Sequence, residues 1–161
     1  MEPILDAKQL AAYITEKYKN KYGNKISPVR LQKTLYFCFA YWGGFIRRGK
    51  LENASEIDVT GLSEILFKDS IEAWVYGPVI PEVYHNYNSI DRYTNPDIFK
   101  NRNILKEFID NVIEDTFEIN DFRLVDISHK DQCWKNNFDY DEKYHNSKMD
   151  KDEIINEYAR K

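Results

Sequence analysis

A chain of 161 residues with 31% charged side chains and only two cysteines can bury a core of its own without a disulfide or metal staple. No apolar run reaches membrane-spanning length, and the N-terminal MEPILDAKQL lacks the basic-then-apolar pattern of a secretory signal, so a reduced, cytoplasmic setting is expected. The net charge of −4 is unevenly spread: residues 1–50 hold ten Lys and Arg against three Asp and Glu, and residues 51–161 hold thirteen against twenty-four. Two parts that pack together and offset each other are the favoured reading, and a two-faced surface that steers a charged partner is the alternative.

The first expected helix is Asp6 to Tyr18, capped by Asp6, with Leu10, Ile14 and Tyr18 on one face. Lys17, Lys19, Lys21 and Lys25 follow and, with Arg30 and Lys33 beside Tyr18 and Tyr22, make a basic and aromatic mix that suits nucleic acid. The acidity of the whole chain and the lack of a recognition motif argue against that use. Ser27 to Gly44 is the clearest element. Ser27 caps it, Pro28 takes the first helical position, Ile26 and Leu31 have staple spacing, and Gly43-Gly44 is expected to stop it. Leu31, Leu35, Cys38, Phe39 and Trp42 form an apolar stripe, and Tyr36, Phe37, Ala40 and Tyr41 cover much of the remaining circumference, which marks a helix buried in a core.

Phe45 to Leu62 is polar and reads mostly as loop. Ile65-Leu66-Phe67, the turn signal Lys68-Asp69-Ser70, and Ile71 to Tyr76 read as a short hairpin with Ile71, Ala73 and Val75 on one face, ended by Gly77-Pro78. Pro81 opens a helix with Val83, Tyr84 and Tyr87 on its apolar side. Asn88 to Asn101 reads as loop, and Asn101 to Thr116 as an amphipathic helix with Ile104, Leu105, Phe108, Ile109, Val112 and Ile113 on one face. Asp121 to His129 is a helix around Phe122, Leu124, Val125 and Ile127, and Lys135 to Ser147 is an irregular loop. A last helix starts at Asp150 with a capping-box pattern to Glu153, and Ile154, Ile155 and Tyr158 pack back. These elements add up to a mainly α (α+β) fold, a compact bundle of about six helices around a buried central helix with a small β-hairpin, in one domain over residues 1–161.

No catalytic constellation emerges. His129 and Cys133 are four residues apart and can share a helix face, but His85, His145 and Cys38 do not complete paired ligand spacing, so no metal is expected. A His129–Cys133 nucleophile pair is the enzymatic alternative, set against a His129 that caps a helix or hydrogen-bonds within the fold. GxxxxGK[ST] and GxGxxG are both absent, and no catalytic residue or cofactor is assigned.

Three blocks carry a resemblance. PVRLQKTLYFCFAYW opens a buried helix with a proline, a Leu-Gln-Lys triplet and a Leu-Tyr pair. Ala73-Trp74, Gly77-Pro78-Val79 and Pro81-Glu82-Val83-Tyr84 follow the signature AW-x-x-GPV-x-P-x-VY. A helix ending in Ser128-His129 is followed by Trp134, with Cys133 where a small residue or Pro often stands. Together, from about Asp6 to about Tyr158, the chain resembles the Panacea domain, the family of SocA-type antitoxins and of some phage-associated proteins. The resemblance implies a non-enzymatic protein that neutralises a cognate toxin by direct contact and, in the SocA case, hands it to a cytosolic protease. The alternative it leaves open is a phage or mobile-element protein that blocks a host defence protein. Trp42, Trp74, Tyr76, Tyr84 and Trp134 are expected to shape or support the partner surface, with Gly77, Pro78 and His129 as supporting motif residues.

Overall fold

The computed structural model describes residues 2–52, 59, 61–140 and 147–161. Among the described residues run α1 (Ala7–Tyr22), α2 (Pro28–Glu52), α3 (Pro81–His85), α4 (Asn103–Phe117), α5 (Asp121–His129), α6 (Gln132–Asn137) and α7 (Lys151–Ala159), with a 3₁₀ segment at Tyr87–Tyr93. Strands β1 (Glu72–Trp74), β2 (Gly77–Val79) and β3 (Ser147–Lys148) form an antiparallel sheet in the order β2-β1-β3. The fold is thus mainly α with a small β element.

Helix α2 is the buried axis. Ser27 Oγ accepts from Arg30 N at 3.1 Å and so supplies the expected cap. Leu31, Leu35, Tyr36, Phe37, Cys38, Phe39, Ala40, Trp42 and Ile46 are all buried, so this helix contributes to the core from nearly every side. Gly43-Gly44 does not stop it. Neither glycine adopts the left-handed backbone that a terminal glycine supplies, and the helix continues to Glu52 through the stretch expected to be loop. The pair serves a close approach instead. A Cβ on Gly43 would lie 2.6 Å from Ile155 Cγ1, and one on Gly44 would lie 2.6 Å from the carbonyl carbon of Tyr158. Without those Cβ atoms α7 settles against the bare backbone of α2.

The hairpin also forms later in the chain than expected. Ile65–Phe67 is not its first strand: Leu5 N donates to Leu66 O at 2.8 Å, and Leu5 and Phe67 form a lone parallel bridge. The turn is Val75-Tyr76, and Gly77-Pro78-Val79 is the second strand rather than the terminator, with Trp74 opposite Gly77. Gly77 has φ +108°, which lets the chain turn straight back, and Pro78 is tolerated because β2 is an edge strand. Ile71 and Ala73 face the core as expected, whereas Val75 sits in the turn and is exposed.

Asp6 caps α1 and Asp150 caps α7, each accepting from a backbone N–H of the first turn. Glu153 does not close a capping box; it accepts from Asn136 and Asn137. In α4, Leu105, Ile109 and Ile113 are buried, while Ile104 reaches solvent. In α5 only Leu124 of the expected apolar set is fully buried, and Phe122 is 87% exposed. The uneven charge resolves inside the molecule. Lys8–Glu82, Lys17–Asp110, Lys21–Glu118, Arg30–Asp121, Arg47–Glu64 and Arg47–Asp152 all join the basic first third of the chain to its acidic remainder. They take Lys17, Lys21 and Arg30 out of the basic and aromatic mix weighed for nucleic acid, and Lys33 leaves it by being buried.

Candidate functional site

The tip of the β1–β2 hairpin is held from beneath by side chains that bond to its backbone. Gln32 makes a two-way clamp: its amide nitrogen donates to Ile80 O at 3.2 Å, and its oxygen accepts from Ile80 N at 2.7 Å. One residue on, Lys33 Nζ donates to Pro78 O at 3.0 Å. From α5, His129 Nε2 donates to Val75 O at 2.7 Å, which requires the Nε2–H tautomer or the imidazolium. From α6, Trp134 Nε1 donates to Trp74 O at 2.9 Å. Four side chains on three helices therefore satisfy carbonyls from Trp74 to Ile80 that a three-residue strand pair cannot satisfy alone.

Gly77 lies at the centre of this grip. A Cβ there would overlap Ser128 Oγ and crowd Lys33 Cε at 3.0 Å, on a backbone that already disfavours side chains. Lys33 is 1% exposed. Its burial lowers the amine to about 7, because the ammonium would sit in a poorly solvated site.

The outer side of the tip is aromatic. Tyr76 is 68% exposed, Tyr84 50% and Val75 45%. The half-buried Trp74 meets Tyr84 edge-on at 5.0 Å, and its Nε1 donates to Glu72 at 2.9 Å. The rings continue through His129 against Trp134 at 4.4 Å, Trp134 stacked on Phe138 at 4.8 Å, and Phe138 against the exposed Tyr140 at 4.8 Å. Seven of the eight residues singled out from the sequence, Trp74, Tyr76, Gly77, Pro78, Tyr84, His129 and Trp134, come together here. Trp134 is buried and acts as support. Trp42 stands apart as a fully buried core residue whose Nε1 donates to Ser63 O at 2.9 Å.

His129 and Cys133 do not form a nucleophile pair. The His129 ring is committed to Val75 and Trp134, while Cys133 Sγ lies 3.3 Å from the Tyr36 hydroxyl, and burial pushes its thiol well up. Cys133 belongs to a second cluster that the sequence did not announce. Asp131 is almost fully buried; its Oδ2 accepts from the hydroxyls of Tyr36 and Tyr158, each at 2.5 Å, and its Oδ1 from Lys161 Nζ at 2.9 Å. Burial, with Asp131 adding to it, raises both tyrosines well above their ordinary value. Glu157 accepts from Cys133 N at 2.7 Å and Gln132 N at 3.0 Å, and so caps α6 from α7. Asp131, Cys133 and Glu157 are close enough to share a cation, but their acceptor atoms face these protein donors, which suits a hydrogen-bonded joint. His145 lies outside the described residues.

These observations define a class: a mainly helical domain whose short hairpin is locked from below and presents aromatic rings above. Residues 58–135 match the model of the family described as antitoxin SocA-like, Panacea domain, a likeness that spans just under half of the chain. No curated protein and no solved structure matches the chain. The matched stretch contains the hairpin, His129 and Trp134, and Gln32 and Lys33 grip it from outside. No helix among the described residues is long and apolar enough to cross a membrane.

Proposed function

We propose that the chain is an antitoxin-like protein that neutralises a cognate toxin by direct, non-enzymatic contact, and that the hairpin tip is the contact. The observation that carries this reading is the coincidence of the antitoxin-type match with a tip whose backbone is fixed by Gln32, Lys33, His129 and Trp134 while Tyr76 and Tyr84 stay exposed. Exposed aromatics on a rigid base bind well because little conformational freedom is lost on association. Delivery of the bound toxin to a cytosolic protease is a further step of the same reading.

The test is co-expression with the product of the adjacent gene, followed by pull-down. The expected result is a product toxic alone, harmless with this chain, and held in a stable complex. Tyr76→Ala with Tyr84→Ala should weaken that complex by about 2 kcal/mol or more without unfolding the protein. Unchanged binding by the folded double variant moves the contact off the tip. A harmless or non-binding neighbour ends the toxin reading and turns the search to a host defence protein.

A further inference from the structure

A groove of about 440 Å³ opens between α2, α4 and α5, and shares no residue with the hairpin tip. Its floor is Phe37 and Tyr41 from α2, Phe108 and Val112 from α4, and Ile119 and Ile127 around α5. Phe37 is buried, Tyr41 is exposed along one side, and the other four are left half-covered by the chain. The bank above this floor carries one sign of charge. Among the described residues, Asp115 is the only Asp, Glu, Lys or Arg in the lining. Along the outer face of α4, Glu107, Asn111, Glu114, Asp115 and Glu118 succeed one another at steps of three, four or one, so carboxylates line that edge of the helix.

Other carboxylates of the region are neutralised within the molecule: Asp110 by Lys17 and Lys106, Glu118 by Lys21. Glu107, Glu114 and Asp115 have no ion-pair partner among the described residues. The nearest bases by helical spacing from Ile127, Arg123 and Lys130, do not line the groove. An apolar trough several side chains long beside unmatched carboxylates complements a helix with an apolar face and Lys or Arg along its flank.

We propose that this groove receives a basic amphipathic helix of a protein partner. The inference rests on the reading that the chain works by binding a protein, but not on the tip being where it does so.

The probe is a dye-labelled amphipathic peptide of about 14 residues built from Leu, Ala and Lys, long enough to form helix on a surface, with a control in which Glu replaces each Lys. Anisotropy gives its affinity and amide shifts give its place. The expected result is binding of the Lys peptide alone, with shifts gathered at Tyr41, Val112, Asp115 and Ile127. Asp115→Lys, at an exposed site where folding is not at stake, should weaken it about tenfold, and Val112→Asp should weaken it further. Tyr76→Ala should leave it unchanged. Equal binding of the two peptides, indifference to Asp115→Lys, or shifts centred elsewhere would overturn the proposal. So would a self-association of the chain that Val112→Asp abolishes, since the groove would then hold a second copy. If toxin rescue depends on Tyr76 and Tyr84 while the peptide ignores the groove, the groove alone fails. If the peptide fills the groove while rescue ignores the tip, the tip reading fails and the groove stands.

Discussion

The two halves of α2 join their neighbours by opposite means. Near its N-terminus, Gln32 and Lys33 extend long polar side chains to the hairpin backbone. Near its middle, Gly43 and Gly44 extend nothing, and α7 presses on the bare helix. Hydrogen bonds to carbonyls position a short turn that has little area of its own to bury, whereas close packing fixes a whole helix through its surface. The first joint determines where the tip points; the second determines whether the bundle closes.

Five substitutions sharpen or break this contrast. Asp131→Ala, which strips the acceptor from Tyr36, Tyr158 and Lys161 at the α2–α7 joint, should be the most damaging, at about 3–5 kcal/mol in urea unfolding. Gly44→Ala should cost about 2–3 kcal/mol, because its methyl meets the fixed backbone of Tyr158; Gly43→Ala should cost less, because its closest clash is with a side chain, Ile155, and its backbone contact, Glu64 O, is looser at 3.1 Å. Equal costs at the two glycines would break the close-packing account.

Gln32→Ala should cost about 2 kcal/mol by leaving the N–H and C=O of Ile80 unpaired. Hydrogen exchange should quicken in β2 while α7 keeps its protection; loss of protection in both would show that the joints are not separate. The smallest effect is a slope. Lys33 falls to about 7 when folded from an ordinary 10.5, so between those values the unfolded chain holds the extra proton and stability rises with pH. Melting temperature should climb from pH 7 to 9, at no more than about 1.4 kcal/mol of stability per pH unit, and Lys33→Met should flatten the climb. Above about pH 10 the buried Tyr36 and Tyr158 reverse the trend, because only the unfolded chain can ionise them.

Much of the helical framework was legible because it rests on local chemistry. Asp6, Ser27 and Asp150 cap where short polar side chains should, and the apolar stripe of α2 is buried as its spacing implies. Gly43-Gly44 misled because a glycine pair serves a helix end and a close helix crossing equally well, and only the arrival of α7 decides between them. The hairpin was displaced for a related reason. Gly77-Pro78 has the composition of a terminator, yet side chains more than forty residues away in sequence turn it into a strand. The motif residues did mark the site, but which of them are exposed was not readable: Trp42 and Tyr76 look alike in sequence and lie at opposite extremes of burial. The Asp131 joint gave no signal, because a single Asp before a short helix reads as a cap until two tyrosines from other helices reach it.

Among the described residues, six ion pairs cross from the first fifty residues to the rest, and they give the chain the character of a complex between two oppositely charged partners that happen to be covalently joined. Separated after α2, an N-terminal piece and the remainder would carry opposite net charge, so diffusion would bring them together faster at low ionic strength than at high. During synthesis the same imbalance leaves Lys17, Lys21 and Arg30 without their counter-charges until α4 and the start of α5 have followed them.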